Sequence, residues 1–271
     1  MKKVLALTMA AMFSLPSLAH EVWVDAGHTH GGEILKASLG YGDFPDLAAI
    51  PEERMHIFKK PMQLIGPEGK IDMVRSEKRN IYFTSPEEIK DGSYLLTAEY
   101  SPTFWSKNAK GWKQENLKQM PDATYCEQTR MYGKMVLNAG HESADTAVVT
   151  KPVGQGLEIV PQDNPANIII GEGFPLKVYF NGEPLEGATV VGTFSGFTTK
   201  DPNDKIHKLE PQAFSDTTRP DGSLQYYPLR KGFWKLRVVH KSDYPDQSEC
   251  QKLASYATLT FMVEDAHDHH H

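Results

Sequence analysis

The chain has 271 residues, with 29 Lys and Arg against 35 Asp and Glu and a net charge of −6. An acidic chain without Lys/Arg blocks excludes nucleic acid and anionic membrane surfaces as partners and suits cations. Lys2 and Lys3, the apolar run Val4 to Phe13 and the small residues Ser17 and Ala19 form a secretory signal cleaved after Ala19. Removing 19 residues from 271 leaves 252, takes the charge to −8 with the loss of Lys2 and Lys3, and makes His20 the first residue. After the leader no apolar run approaches the ~20 residues that span a bilayer, and no Cys follows the cleavage site to carry a lipid.

A terminal histidine offers its α-amine and its ring to one metal ion as a chelate, and such nitrogen donors suit Ni, Co, Cu and Zn. His28 and His30 follow in the string His20-Glu-Val-Trp-Val-Asp-Ala-Gly-His28-Thr-His30-Gly-Gly. The expected site is the His20 chelate completed by His28 or His30. Strand alternation sets Glu21, Trp23 and Asp25 opposite Val22 and Val24, so Glu21 or Asp25 is a possible added carboxylate.

Long helices find little support, whereas short β-branched or aromatic runs recur between turn formers. Strands are expected over residues 34–39, 55–58, 62–65, 80–84 and 94–100, with Lys90-Asp91-Gly92-Ser93 among the turns. Residues 103–121 read as a long polar loop or a short helix, residues 123–130 as one or two helical turns, and residues 131–138 as a strand. Turn residues without a hydrophobic period at Lys151 to Gly156 mark a domain boundary. Six or seven strands follow in about 110 residues, with hairpin turns at Asn181-Gly182 and Asp221-Gly222, a count that suits an immunoglobulin-like domain. The expected fold is all-β with minor helix. Two β-sandwich-like domains, residues 20–153 and an immunoglobulin-like 154–265, follow the leader 1–19 and precede a His-rich tail, 266–271.

Cys126 and Cys250 are the two cysteines. In an oxidising compartment they read first as a disulfide, and a thiolate metal site is weaker because neither has a Cys or His within four residues. The tail carries His267, His269, His270 and His271, a compositional metal binder that is either native or an added purification tag. His56, His141, His207 and His240 are weaker candidates, each better explained as a strand, turn or solvated residue. There is no G-x-S-x-G elbow, H-E-x-x-H, P-loop or G-x-G-x-x-G, so the chain is not expected to be an enzyme. A copper oxidative enzyme remains an alternative through His20 alone.

The strings His20-Glu-Val-Trp, Leu157-Glu-Ile-Val-Pro161, Phe180 to Thr189, Arg219-Pro-Asp-Gly-Ser223, Gly232-Phe-Trp-Lys-Leu236 and Tyr256 to Phe261 together resemble the NikK-type periplasmic proteins linked to nickel and cobalt uptake. The resemblance covers most of the mature chain and is weakest over residues 102–121. It implies periplasmic export, Ni(II) or Co(II) as the ion, His20 as a ligand, and delivery to an inner-membrane nickel/cobalt transporter of the energy-coupling-factor type. Cu(II) or Zn(II) carried by a chaperone or resistance protein is the alternative.

Overall fold

The computed structural model describes residues 20–140, 145–197 and 211–264. The leader, His141, His207 and the tail histidines lie outside the described residues. The first half supplies β1 (Glu21–Ala26), β2 (Ile34–Gly42), β3 (Gln63–Gly66), β4 (Gly69–Asp72), β5 (Val74–Arg75), β6 (Tyr82–Glu88), β7 (Gly92–Asn108), β8 (Gly111–Lys113) and β9 (Tyr125–Ala139). The second half supplies β10 (Leu157–Pro161), β11 (Phe174–Phe180), β12 (Glu183–Pro184), β13 (Thr189–Phe194), β14 (Phe214–Thr217), β15 (Ser223–Tyr226), β16 (Gly232–Asp243) and β17 (Lys252–Val263). Helix among the described residues is limited to short 3-10 turns at Glu52–Ile57 and Pro165–Asn167. None of it is long and apolar enough to cross a membrane.

The fold is all-β and sandwich-like, as expected, with one sheet common to both sandwiches. A nine-stranded sheet runs β14-β13-β16-β17-β9-β7-β3-β4, with β8 on β7. One face carries the sheet β1-β2-β6-β5, and the other carries β10-β11-β12 with β15 on β11. Alternation along the shared strands feeds both cores. From β9, Met131, Met135 and Leu137 join Val22, Leu39 and Phe83 in the first core, while Tyr132 and Val136 join Ile159, Leu176 and Trp234 in the second. Each such side chain, once buried, contributes roughly 1.5–3 kcal/mol. The junction expected at residues 153/154 therefore connects two halves of one sheet, joined by the parallel pair β9 and β17.

Three local expectations are corrected. Residues 103–121 open with the continuation of β7, a 17-residue strand that β8 folds back upon. Its register shifts between Tyr100 and Thr103, around Pro102, because proline lacks the N–H that a ladder needs. Residues 125–130 are the start of β9 rather than helix. Their polar side chains Glu127, Gln128 and Thr129 are buried but satisfied, with Glu127 accepting from Tyr125 at 2.8 Å and Lys241 at 2.9 Å. Residues 55–58 fall in and just after the 3-10 turn that follows Pro51, not in a strand. The expected Asn181-Gly182 hairpin turn is present between β11 and β12, both residues at positive φ.

β1 is an edge strand with its backbone covered. The carbonyls of Val22 and Val24, which β2 leaves unpaired, accept from Thr258 and Thr260 of β17 at 2.7 and 2.6 Å. Trp23 is fully buried over Gly40, where a Cβ would lie 1.9 Å from the indole ring. Only glycine fits opposite that tryptophan.

Candidate metal-binding loop

The β1–β2 connection is Gly27-His28-Thr29-His30-Gly31-Gly32-Glu33. Thr29 is buried, and its carbonyl accepts the Gly140 amide at the end of β9 at 2.9 Å. Alternation then turns His28 and His30 outward together. The rest of the loop is pinned just as locally. The His30 amide donates to Glu33 Oε2 at 3.0 Å, the Gly31 amide to Asp91 Oδ1 at 2.7 Å, and the Gly32 amide to the Ile89 carbonyl at 2.8 Å. Gly32 holds φ at +82°, a turn conformation that glycine adopts without strain.

The two rings meet edge-on, centroids 4.5 Å apart, with Nε2 of His28 and Nε2 of His30 separated by 3.0 Å. Metal–imidazole bonds are ~2.0–2.1 Å, so two nitrogens bound at roughly 90–110° about one ion lie about 2.9–3.4 Å apart. The pair has the spacing of adjacent ligands. A recess of about 480 Å³ opens beside it, lined by Gly27, His28, Thr29, Glu33, Ile34 and Lys36. Among the described residues no group of three or more His, Cys, Asp or Glu is arranged to hold a metal ion.

His20 is elsewhere. It precedes β1, is exposed, and sets its ring 5.3 Å from Tyr41. The six residues of β1 at ~3.3 Å each put ~20 Å between it and the His28–His30 loop. Two nitrogens on one ion sit within ~4 Å of each other, so the expected joint site of His20 with His28 or His30 is not assembled. The sequence places them close, and an extended strand drives them apart. The surroundings of His20 are aromatic: Tyr41 packs on Phe58 and Tyr100, and Tyr100 accepts the Trp105 indole N–H at 2.8 Å. Burial foremost, with the neighbouring Tyr100 adding and Arg54 opposing, pushes the Tyr41 phenol up to about 12, so it is a neutral neighbour at physiological pH.

Glu21 does not supply a carboxylate to an ion. It is buried and taken up by Lys235, at 2.6 Å, and by Arg237. Asp25 is half-buried, and desolvation raises its carboxyl above the usual range. His56 bonds the Gln114 side chain, while His240 packs on Phe180 at 4.5 Å and burial lowers its pKa. Cys126 and Cys250 form the expected disulfide. Asp91, which grips Gly31, was legible only as a turn former, because nothing linear connects residue 91 to residue 31.

A family model described as a domain of unknown function, DUF4198, matches residues 17–242. The chain belongs to the DUF4198 family. The matched DUF4198 region takes in β1, the His28–His30 loop and Asp91, and ends within β16. No curated protein matches the chain. Among solved structures it is similar to the D0-D1 domain of intimin, at 11% identity over 89% of this chain and 97% of that one, with a TM-score of 0.20. The D00-D0 domain of intimin gives 11% identity, 89% and 98% coverage and a TM-score of 0.19.

Proposed function

We propose that this chain is a periplasmic binding protein for a divalent transition-metal ion, nickel or cobalt, which it captures and passes to an inner-membrane importer. The observation that carries the reading is the 3.0 Å separation of His28 and His30 Nε2 on a pinned, solvent-facing loop. A pair of imidazoles at an open lip suits the capture of an ion in transit. The secretory leader and the resemblance to nickel- and cobalt-linked periplasmic proteins support the compartment and the ion. His20 forms a second, separate element when the leader is cut after Ala19, through its α-amine and ring.

Titration calorimetry of the mature protein with Ni(II), Co(II), Cu(II) and Zn(II) tests this. Replacing His28 and His30 together with alanine should weaken one binding event at least tenfold, since an ion loses two imidazoles. One extra residue before His20 should weaken a different event by a similar factor and leave the first unchanged, because the two elements are a strand apart. Deleting residues 266–271 should lower only the number of ions bound. Unchanged affinity in the His28→Ala/His30→Ala protein for every metal would remove the loop from this role. Tighter retention of Zn(II) or Cu(II) than of nickel in competition would move the reading to a chaperone for those ions, with allowance for the general preference of nitrogen sites for Cu(II).

A further inference from the structure

We propose that Asp91 is the positioning residue of the histidine pair, a clamp that holds His28 and His30 at ligand spacing before any ion arrives. The inference rests on the reading above that this pair holds the ion. Asp91 sits in the turn before β7, exposed to solvent, where no core packing requires a carboxylate. Its Oδ1 accepts the amide of Gly31, the residue after His30, at 2.7 Å. The same carboxylate lies against Gly140, where a Cβ would come within 2.4 Å of Oδ1 and 2.7 Å of Cγ. At Gly31 an added Cβ would meet the Asp91 amide nitrogen at 2.7 Å and Oδ1 at 3.0 Å. The absence of side chains at residues 31 and 140 is what lets Asp91 close between the two segments.

Gly140 completes the clamp by donating its amide to Thr29, the residue between the two histidines. The neighbouring cation Lys90 pairs with Glu68. The connection contains Gly27, Gly31 and Gly32, so without this anchor it gains backbone freedom that metal binding must remove again. An amide-to-carboxylate bond of this type is among the stronger hydrogen bonds, and its loss should weaken ion capture about tenfold. Asp91 acts through Gly31 and is not itself a ligand.

The test has two readouts on the full mature protein. In the metal-free protein, NMR should show through-space cross-peaks between the His28 and His30 ring protons. Those cross-peaks should disappear in Asp91→Ala and persist in Asp91→Asn, whose side-chain oxygen still accepts the Gly31 amide. Titration with Ni(II) should then give about tenfold weaker binding for Asp91→Ala and near-complete recovery for Asp91→Asn, with thermal midpoints close to the parent's. Retained cross-peaks and parental affinity in Asp91→Ala would overturn the inference, as would an Asn variant that behaves like the Ala variant. Failure of the underlying reading looks different: His28→Ala/His30→Ala would leave Ni(II) affinity unchanged, while in proteins that keep both histidines the cross-peaks would still be lost in Asp91→Ala.

Discussion

Replacing Glu158 with alanine should destabilise the protein by about 3–5 kcal/mol, the cost of leaving a buried charge without its partner. Lys134 of β9 is buried in the second core, and its ammonium donates to Glu158 Oε2 at 2.6 Å and to the Ile159 carbonyl at 3.2 Å. Glu158 also accepts the amides of Val153 and Gly154 at 3.0 and 3.1 Å, so one carboxylate ties β10, the central sheet and the segment between the two halves. Burial pulls the Lys134 ammonium below its ordinary range, opposed by Glu158. Once Glu158 is gone that opposition is lost. The penalty is largest at low pH and fades as pH rises toward the ordinary lysine value, above which both folded and unfolded chains carry a neutral amine. Urea unfolding at pH 7 and pH 10 measures both effects. A deficit under 1 kcal/mol, or one that grows with pH, would refute the account. Exchanging both partners for apolar residues of similar volume should cost far less than Glu158→Ala alone.

Removing the disulfide should be comparably severe. Cys126 and Cys250 are 124 residues apart, and closing a loop of that length stabilises by up to ~4–5 kcal/mol through the entropy of the unfolded chain. Were the two halves independent domains, reduction would separate them before either core melted. The bond instead lies at the start of the parallel pair β9 and β17, next to the partners Glu127 and Lys252, inside the common sheet. Cys126→Ala with Cys250→Ala should therefore lower the thermal midpoint of a single cooperative transition. Two resolved transitions in scanning calorimetry would show that the halves melt apart.

What the sequence disclosed depended on whether a feature was local. The Asn181-Gly182 turn and the class of fold follow from neighbouring residues, and the two lone cysteines left one intramolecular pairing. The start of β9 was hidden because Glu127 and Thr129 look solvent-facing until Lys241 arrives from β16 to meet Glu127, which in turn accepts from Tyr125 and Thr129 of its own strand. Lys134 and Lys235 were hidden as well, each a buried lysine met by a glutamate from elsewhere in the chain. At the candidate site, His28 and His30 were visible as a pair, since residues two apart share a side. The distance from His20 follows from the extended rise of β1 alone, whereas the hold of Asp91 depends on how β1, β2, β7 and β9 are laid together, which no spacing in one dimension encodes.

The position of β17 governs when this protein becomes a folded object. It fills the gap between β9 and β16, and its Thr258 and Thr260 cap the first strand of the chain. A polypeptide emerging N-terminus first thus holds the Val22 and Val24 carbonyls, and the junction of β9 with β16, in waiting until the dozen residues of β17 are delivered. Long waits for distant partners make folding slow. Any fragment that stops before Lys252 leaves the edges of β9 and β16 unpaired and ready to recruit other chains.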